Sequence, residues 1–384
     1  MIYLDHAAST PIADSVLEQM MPYFKENYGN PSSIHRFGRI ATKAIESARK
    51  RVAELVGASP GEILFTSGGT ESNNTAIHGI MNQNRSKQLI TTSIEHDAIL
   101  EPCKRLESSG FDIVYLPVDS TGLVDVQKLE SILSEKTALV SVMLANNEVG
   151  TIQPIAEIAK ICKKHNVLFH TDAVQGVGKI PVNVNDLGVD LMSISSHKIN
   201  GPKGIGALYI RNGVTLDPFI LGGGQENGMR SGTENVANIV GFGKACQIAK
   251  ENLQQNTYHL ESLRNYLVQR VSSEISHVTV NGNKEKLPNN AHFTFLGVNG
   301  EDLIIKLDEH GVAASTGSAC SVKTQKASHV LIAMGFSHEQ ITGSLRLSLG
   351  ISNTKDEIDQ TVDSLKSIVA ELRSVSPFKA KYGF

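Results

Sequence analysis

The regular alternation of short apolar segments and helical segments between residues 63 and 210 constrains the fold more than any other feature of this sequence. The apolar segments are predicted strands, at 63–66, 88–92, 112–116, 138–143, 167–170, 190–194 and 206–210. The segments with helical periodicity between them are at 70–83, 97–108, 125–134 and 154–165. Strands that alternate with helices form a mainly parallel sheet with helices on its faces. The sequence therefore predicts an α/β protein whose ligands bind at the carboxyl ends of the strands.

The rest of the chain predicts a second, smaller α+β domain. With 384 residues the chain is long enough for two domains. Outside the sheet, helices are predicted at 12–27, 39–56, 234–275 and 355–374, and strands near 291–295, 312–315 and 344–348. We expect a large domain at 12–255 and a small domain that combines residues 1–11 with 256–384.

A lysine follows one of the predicted buried strands. Lys198 stands after the apolar run Leu191 to Ile194 and before a turn rich in glycine, at 201–206. Lysine is rarely buried unless its amine has a function. A desolvated amine near other cations loses its proton readily and becomes a nucleophile for Schiff-base chemistry. Taken alone, the motif would rather suit a surface lysine in a loop.

Two other motifs close predicted strands in the same way. Asp172 follows the strand at 167–170, and a buried carboxylate needs a cationic partner, such as the protonated ring nitrogen of pyridoxal phosphate (PLP). The turn Ser67-Gly68-Gly69-Thr70 stands between a strand and a helix, where backbone N–H groups and the helix N-terminus suit a phosphate. Many strand-to-helix turns have this composition. Together with Lys198, however, the three motifs indicate a PLP enzyme.

With these motifs the sequence resembles the cysteine desulfurases of the class V aminotransferase group, which are fold-type I PLP-dependent transferases. The resemblance extends over nearly the whole chain, through further motifs at 3–11, 29–33, 95–96, 146–151, 230–235, 315–320 and 346–350. It implies an enzyme that converts L-cysteine to L-alanine and transfers the sulfur to a cysteine of its own. The chain departs from the usual pattern at His6, Ser9 and Lys326-Ala327.

The motifs and the resemblance together assign residues to the cofactor. Lys198 holds PLP and then acts as a general base, and Asp172 keeps the ring nitrogen protonated. Gln175, which in isolation would suit the surface, reaches the phenolic oxygen of the ring. The phosphate is bound by the turn, by the lysine motif and, from the neighbouring subunit, by a threonine; these residues are Gly69, Thr70, Ser195, His197 and Thr233.

Three more residues complete the predicted site. His96 follows a strand end, so its ring can stack on PLP and take part in proton transfers, unless it only caps the next helix. Asn147 is implied by the resemblance as a ligand of the phenolic oxygen or of the substrate carboxylate. Arg346 lies in an apolar strand, where an arginine usually has an anionic partner. Its planar fork suits the α-carboxylate of an amino acid, and a structural salt bridge is the alternative.

Cys320 determines the predicted subclass. The other cysteines lie in helical patterns that are typical of buried thiols, at positions 103, 162 and 246. Cys320 lies instead in a small, polar stretch close to Lys323, where an exposed thiol has more thiolate character. The resemblance implies that this thiolate attacks the sulfur of the substrate and keeps it as a persulfide.

The composition limits the partners. A net charge of −3 gives no reason to expect nucleic acid binding, and no apolar run approaches the roughly 18 residues that span a bilayer. The four cysteines lack CxxC spacing, which argues against a zinc site or a disulfide framework and for a reducing cytosol. We expect a cytoplasmic enzyme without a metal. The resemblance adds a homodimer and a sulfur-acceptor protein, either an iron–sulfur scaffold or a tRNA thiolation enzyme.

Two alternatives stay open at this point. The first is a selenocysteine lyase or another class V PLP enzyme, although a transaminase needs no cysteine in a flexible stretch. The second is an inactive homologue that serves as a binding scaffold. Such a homologue would be expected to lose Lys198, Asp172 or Cys320, and all three are present.

Overall fold

The computed structural model describes residues 1–84, 88–316 and 327–384. The strands in these ranges are β1 (Ile2–Tyr3), β2 (Ile63–Thr66), β3 (Gln88–Thr92), β4 (Asp112–Leu116), β5 (Thr137–Ser141), β6 (Leu168–Asp172), β7 (Leu191–Ser195), β8 (Gly206–Ile210), β9 (Val278–Val280), β10 (Asn290–Phe295), β11 (Val312–Ala313) and β12 (Ser344–Ser348). The α-helices are α1 (Asp14–Met20), α2 (Pro22–Lys25), α3 (Arg36–Val56), α4 (Gly69–Met81), α5 (Asp97–Ser108), α6 (Val126–Ile132), α7 (Ile155–Lys164), α8 (Val184–Leu187), α9 (Val236–Glu274), α10 (Gly300–Glu309), α11 (His329–Ala333), α12 (His338–Thr342), α13 (Lys355–Ser374) and α14 (Lys379–Tyr382). Each helix in these ranges is too short or too polar to cross a membrane.

A seven-stranded sheet organises the larger part of the molecule, in the order β2-β8-β7-β6-β5-β3-β4. The strands from β7 to β4 in this order are parallel, and β8 is antiparallel to both β7 and β2. The predicted α/β fold with a mainly parallel sheet is therefore confirmed. β6 and β7 lie side by side, with Asp172 paired with Ser193. Because both strands run in the same direction, their carboxyl ends share one edge of the sheet.

Helices α3 and α9 pack closely against each other. The buried face of α3 includes Ile45, Ala48 and Val52. Gly243 of α9 lies so close that a Cβ atom there would stand 2.6 Å from Ala48 Cα, so this approach requires glycine. Both helices contribute to one apolar core together with the sheet.

The single helix predicted at 12–27 is wrong, because the structure has two helices in this range. α1 ends at Met20 and α2 begins at Pro22. A proline has no N–H for the hydrogen bonds of a preceding helix, but its fixed φ suits the first position of a new one. The sequence patterns also missed β9 and α10.

A second apolar core surrounds the antiparallel sheet β12-β10-β9. It contains Phe293 and Leu345 of this sheet and Leu4 from the start of the chain. α9 contributes Phe242 to the first core and Leu263 to the second. The predicted boundary near residue 255 thus falls inside a continuous helix. The division into two domains stays a prediction.

Residues 1–11 run from the second core to the end of β7. β1 pairs in parallel with β11, and the N–H of Leu4 donates to the carbonyl of Ala313 at 2.9 Å. Farther along, the N–H of Thr10 donates to the carbonyl of His197 at 3.0 Å. The N-terminal segment therefore lies against the strand end that carries Lys198.

Candidate active site

A cavity of about 210 Å³ lies at the carboxyl ends of β6 and β7. Nine residues of the predicted site line it: Gly69, Thr70, His96, Asn147, Asp172, Gln175, Ser195, His197 and Lys198. Thr233 and Arg346 are not in its lining, and Cys320 lies outside the described residues. The strand ends thus bring together residues of the predicted site that are up to 129 positions apart in the chain, from Gly69 to Lys198.

Asp172 is buried at the end of β6, and each of its carboxylate oxygens accepts one hydrogen bond. Asn73 Nδ2 donates to Oδ2 at 2.7 Å, and the N–H of Val174 donates to Oδ1 at 2.9 Å. The two donors hold the carboxylate in one orientation at the wall of the cavity. A buried carboxylate in this position suits a cationic ligand group.

Lys198 lies in the short 3₁₀ turn Ser196–Lys198 that follows β7. Its Nζ donates to the carbonyl of Ala7 at 2.6 Å and to the carbonyl of Ala8 at 2.8 Å. The turn needs Gly201, because a Cβ atom at that position would stand 2.1 Å from Ser196 Oγ. The amine is therefore placed at the cavity wall by a tight turn on one side and by the N-terminal segment on the other.

The first turn of α4 forms another part of the cavity wall. A Cβ atom at Gly69 would stand 2.7 Å from Val174 Cγ2, so glycine lets the start of this helix approach the end of β6. Gly69 and Thr70 also line a neighbouring depression of about 370 Å³, together with Ser195 and His197. The first N–H groups of a helix lack intrahelical partners and carry partial positive charge. This end of the cavity is therefore suited to a phosphate.

His197 is a neutral imidazole in this setting. Burial, and then the nearby charge of Lys198, lower the pKa of His197 to about 4. Its Nδ1 lies 3.2 Å from Ser9 Oγ. Because one ring nitrogen contacts Ser9, the imidazole connects the N-terminal segment to the depression of about 370 Å³ that His197 lines.

His96 both lines the cavity and caps a helix. Its Nδ1 accepts a hydrogen bond from the N–H of Ala98 at 3.0 Å, at the start of α5. The two interpretations of this residue are therefore compatible. Since Nδ1 is an acceptor, a neutral His96 ring carries its proton on Nε2.

Arg346 is buried in β12, where it is 2% exposed. Its Nη2 donates to Asp5 Oδ1 at 2.8 Å, and its Nη1 donates to the carbonyl of Asn147 at 2.9 Å. These contacts correspond to the structural salt bridge that was the alternative for this residue, so binding of a substrate carboxylate stays a prediction. Asn147 lines the cavity, and its buried Oδ1 has no hydrogen-bond partner among the described residues.

Two predicted residues lie apart from this cavity. Thr233 is exposed and lines a different depression, with Arg230 and Gly204. Its contact with a cofactor of the neighbouring subunit stays a prediction. Of the four cysteines, three are described; they are free and buried, at Cys103, Cys162 and Cys246. Burial raises the pKa of Cys103 and of Cys162 to about 12, so these thiols are unsuited to nucleophilic chemistry.

The structure adds residues that the sequence patterns did not single out. Asn73 holds Asp172, and it lies four positions after Gly69, one turn along α4. Lys179 is buried and donates to Gln175 Oε1 at 3.1 Å. In the sequence, each of these residues stands four positions after a predicted site residue: Asn73 after Gly69, and Lys179 after Gln175. This spacing indicates proximity only where the backbone is already known to be helical or tightly turned.

The lining fits pyridoxal phosphate. Asp172 suits the protonated ring nitrogen, Lys198 offers the amine, and the start of α4 suits the phosphate. The unpaired Oδ1 of Asn147 marks a polar position that a ligand would satisfy. Across the part of the chain that the structure describes, no cluster of three or more His, Cys, Asp or Glu side chains could hold a metal ion.

Comparison with known proteins gives consistent matches over nearly the whole chain. Residues 2–361 match the family described as aminotransferase class-V. A cysteine desulfurase IscS from Dictyoglomus turgidum is 51% identical over 384 residues, which cover 99% of this chain and 98% of that protein.

Solved structures have the same fold. A structure described as a NifS-like protein superposes with a TM-score of 0.91 and 42% identity, over 96% of this chain and 99% of that one. A structure described as SspA in complex with cysteine has a TM-score of 0.83 and 38% identity, over 91% and 99% of the two chains.

Proposed function

The chain belongs to the class V aminotransferase family, and we propose that it is a PLP-dependent cysteine desulfurase that converts L-cysteine to L-alanine. The observation that carries the proposal is the cavity in which Asp172, Lys198 and the first turn of α4 converge. The substrate is further supported by the relative named as a cysteine desulfurase and by the similar protein whose structure contains cysteine.

The residues of the cavity would hold the cofactor in one orientation. Asp172 would pair with the ring nitrogen, while Asn73 and the N–H of Val174 keep its carboxylate in place. The start of α4 would bind the phosphate, with Ser195 and His197 beside it. When bound, PLP draws electrons away from the substrate carbon atoms, so that an α-proton can leave and the carbon–sulfur bond can break.

Lys198 would move the proton. Its Nζ lies at the cavity wall within hydrogen-bond distance of two backbone carbonyls, which stabilise the protonated amine after it has taken the α-proton. His96 presents Nε2–H as a second proton-carrying group, because its Nδ1 accepts from Ala98. Arg346 and Asn147 would bind the α-carboxylate of the substrate. The guanidinium group of Arg346 would then donate both to Asp5 and to the substrate.

Cys320 would accept the sulfur. Its thiolate attacks the sulfur of the substrate, a sulfur–sulfur bond forms, and the carbon–sulfur bond breaks with its electron pair left on carbon. That carbon takes up a proton to become the methyl group of alanine. The substrate carbon takes up the electron pair that the sulfur gives up, so Cys320 is left as a persulfide and no external oxidant is needed.

The remaining assignments belong to the same proposal. We infer a cytoplasmic homodimer with Thr233 at the cofactor of the neighbouring subunit, since closed two-fold symmetry is the usual form of a soluble oligomer. We also infer the division into domains at 12–255 and at 1–11 with 256–384, because the two apolar cores separate along α9. The sulfur acceptor would be an iron–sulfur scaffold or a tRNA thiolation enzyme.

The test uses purified enzyme with L-cysteine and a reductant, and measures alanine and sulfide. Wild type should form both in equal amounts, and Cys320→Ala should form neither. Cys103→Ala, which changes a buried thiol in α5, is the matched control and should keep the activity. Sulfide release that survives Cys320→Ala would show that Cys320 is not the acceptor, and would favour a lyase of another kind.

A further inference from the structure

A buried lysine, Lys179, lies close to the half-buried cofactor lysine, Lys198. Lys179 is 6% exposed. It lines a cavity of about 70 Å³ whose wall also includes Lys198, His6 and Asn289. A buried lysine is costly unless its amine is used, and Lys179 has no place in the scheme above.

Lys179 and Gln175 are joined by the backbone between them. The N–H groups of Gly176 and Val177 donate to the carbonyl of Ala173, and the N–H of Lys179 donates to the carbonyl of Gly176 at 3.0 Å. In this compact turn, which includes Gly178 at φ 76°, the side chains of residues 175 and 179 lie on one side and are joined by a hydrogen bond. Thr257 Oγ1 from α9 donates to the Lys179 carbonyl at 2.8 Å and fixes the end of the turn.

Both ends of the Gln175 amide are engaged. Lys179 Nζ donates to Oε1 at 3.1 Å, and Nε2 donates to the carbonyl of Ala7 at 2.9 Å. The carbonyl of Ala7 can only accept, so Nε2 must face it, and a protonated Lys179, which can only donate, requires Oε1 on its side. One N–H of Nε2 is left for the cavity that Gln175 lines.

The contact does not depend on the charge of the lysine. Burial, followed by the charges of Lys198 and Arg346, lowers the pKa of Lys179 to about 7. The imidazoles of His6 and His197, which also face Lys179, are neutral, since burial lowers the pKa of each to about 4. A neutral amine still donates a hydrogen bond to Oε1, and in that state the carbonyl of Ala7, which can only accept, excludes the reversed amide.

We propose that Lys179 is a positioning residue for the cofactor: it fixes the amide of Gln175 so that Nε2–H, and not Oε1, faces the phenolic oxygen of PLP. The inference rests on the proposed function, in which Gln175 contacts that oxygen. With the amide reversed, Oε1 would face an oxygen that carries negative charge, and the contact would change from attraction to repulsion.

A double-mutant cycle on cofactor affinity tests the coupling. Apoenzyme is titrated with PLP, and binding is followed by absorbance. Lys179→Met removes the donor, and Gln175→Leu removes the amide. Each single variant should bind PLP about tenfold more weakly, as expected for one hydrogen bond to a charged group. The double variant should bind no more weakly than Gln175→Leu alone.

The control is Lys286→Met. Lys286 is also partly buried and donates to a carbonyl, that of Asn281 at 2.9 Å, but it lines neither cavity. Its replacement should leave PLP affinity unchanged. Thermal unfolding of each apoenzyme shows whether a variant is folded. If Lys179→Met is not, Lys179→Gln is compared with Lys179→Leu, and the glutamine variant should bind PLP more tightly because its amide keeps a donor.

The outcomes separate the inference from the proposed function. Equal PLP affinity of wild type and Lys179→Met would overturn the inference. About hundredfold weaker binding by the double variant would also overturn it, because additive effects mean that Lys179 acts without Gln175. Equal affinity of Lys179→Gln and Lys179→Leu would also overturn it. A wild-type protein that binds no PLP would instead overturn the proposed function.

Discussion

The cavity at the end of β6 and the buried polar layer beside it use similar side chains for different purposes. We define this layer by Glu95, Glu148, Ser328 and His329. In the cavity, Asp172 is held by protein donors and still faces open space. In the layer the contacts are internal: Ser328 Oγ donates to Glu148 Oε2, and His329 Nε2 lies 2.9 Å from the carbonyl of Glu95.

The carboxyl groups of Asp172 and Glu95 show how the cavity and the polar layer differ. Asp172 has one donor on each oxygen. Glu95 has both of its donors, Thr92 Oγ1 and the N–H of Met143, on Oε1, and its Oε2 has no partner among the described residues. Burial therefore raises the pKa of Glu95 to about 8. A polar side chain that faces a cavity is available to a ligand. A polar side chain that is surrounded by other protein groups instead affects the free energy of unfolding.

The largest expected effect is at Lys198. Lys198→Ala should lower alanine formation on the order of 10³-fold or more, because the variant lacks both the amine that holds the cofactor and the general base. The measurement is alanine formation together with the visible spectrum. Lys198→Arg, which keeps a positive charge, should be as inactive; activity in the arginine variant would contradict the assigned role.

The second-largest effect is expected for Asp172→Asn. It keeps the shape of the side chain and removes the charge that pairs with the ring nitrogen, so kcat/KM should fall on the order of 10²-fold, about 3 kcal/mol. Asp190→Asn is the matched control, since Asp190 accepts from Phe169 N–H at 2.9 Å just before β7, at the opposite end of that strand. A similar loss of kcat/KM in both variants would mean that a carboxylate in the cavity matters no more for activity than one at the opposite end of the strand.

In the polar layer we expect losses of stability and not of chemistry. Ser328→Ala removes the donor to the buried carboxyl of Glu148 and the cap of α11, and should lower the free energy of unfolding by roughly 2–4 kcal/mol. Ser337→Ala removes a similar cap from α12 without a buried carboxyl, and should cost about 1 kcal/mol. Denaturant unfolding measures both. Equal costs would mean that the contact with Glu148 adds nothing.

The smallest effect concerns pH. Since the folded-state pKa of Glu95, about 8, lies above its ordinary value of 4.5, its protonated carboxyl stabilises the fold below pH 4.5, and this stability is lost as pH rises through 8. Glu95→Gln cannot ionise, so wild type should lose roughly 1–3 kcal/mol relative to the variant between pH 6 and 9. Glu130→Gln, at an exposed pair with Lys164, should follow wild type. Parallel curves for wild type and Glu95→Gln would exclude ionisation of Glu95.

The residues that could be predicted from the sequence are those whose position follows from the end of a strand. Asp172 and Lys198 close β6 and β7, and the parallel sheet brings those ends together. Asn73 and Lys179 were missed because their roles depend on contacts with other side chains, Asp172 and Gln175. Those contacts are visible only when the helix and the turn have been placed in three dimensions.

Arg346 illustrates a second limit. Its position in an apolar strand indicated an anionic partner, and the structure has one, Asp5 at 2.8 Å. The sequence did not reveal that partner, because the two residues are 341 positions apart and meet only when the N-terminal segment docks. The break between α1 and α2 was missed for a simpler reason: the apolar periodicity continues across Pro22, but the hydrogen-bond ladder cannot.

The pairing of β1 with β11 sets an order of events during protein synthesis. Ile2 pairs with Val312, 310 residues later, so the first strand emerges from the ribosome long before its partner exists. At ~5–20 residues per second, the wait is roughly 15–60 s. Until β11 has emerged, β1 cannot anchor the segment that carries Ala7 and Ala8 against Lys198. A nascent chain can therefore complete its cofactor pocket only when most of the polypeptide has been made, and a product truncated before β11 would lack that anchor.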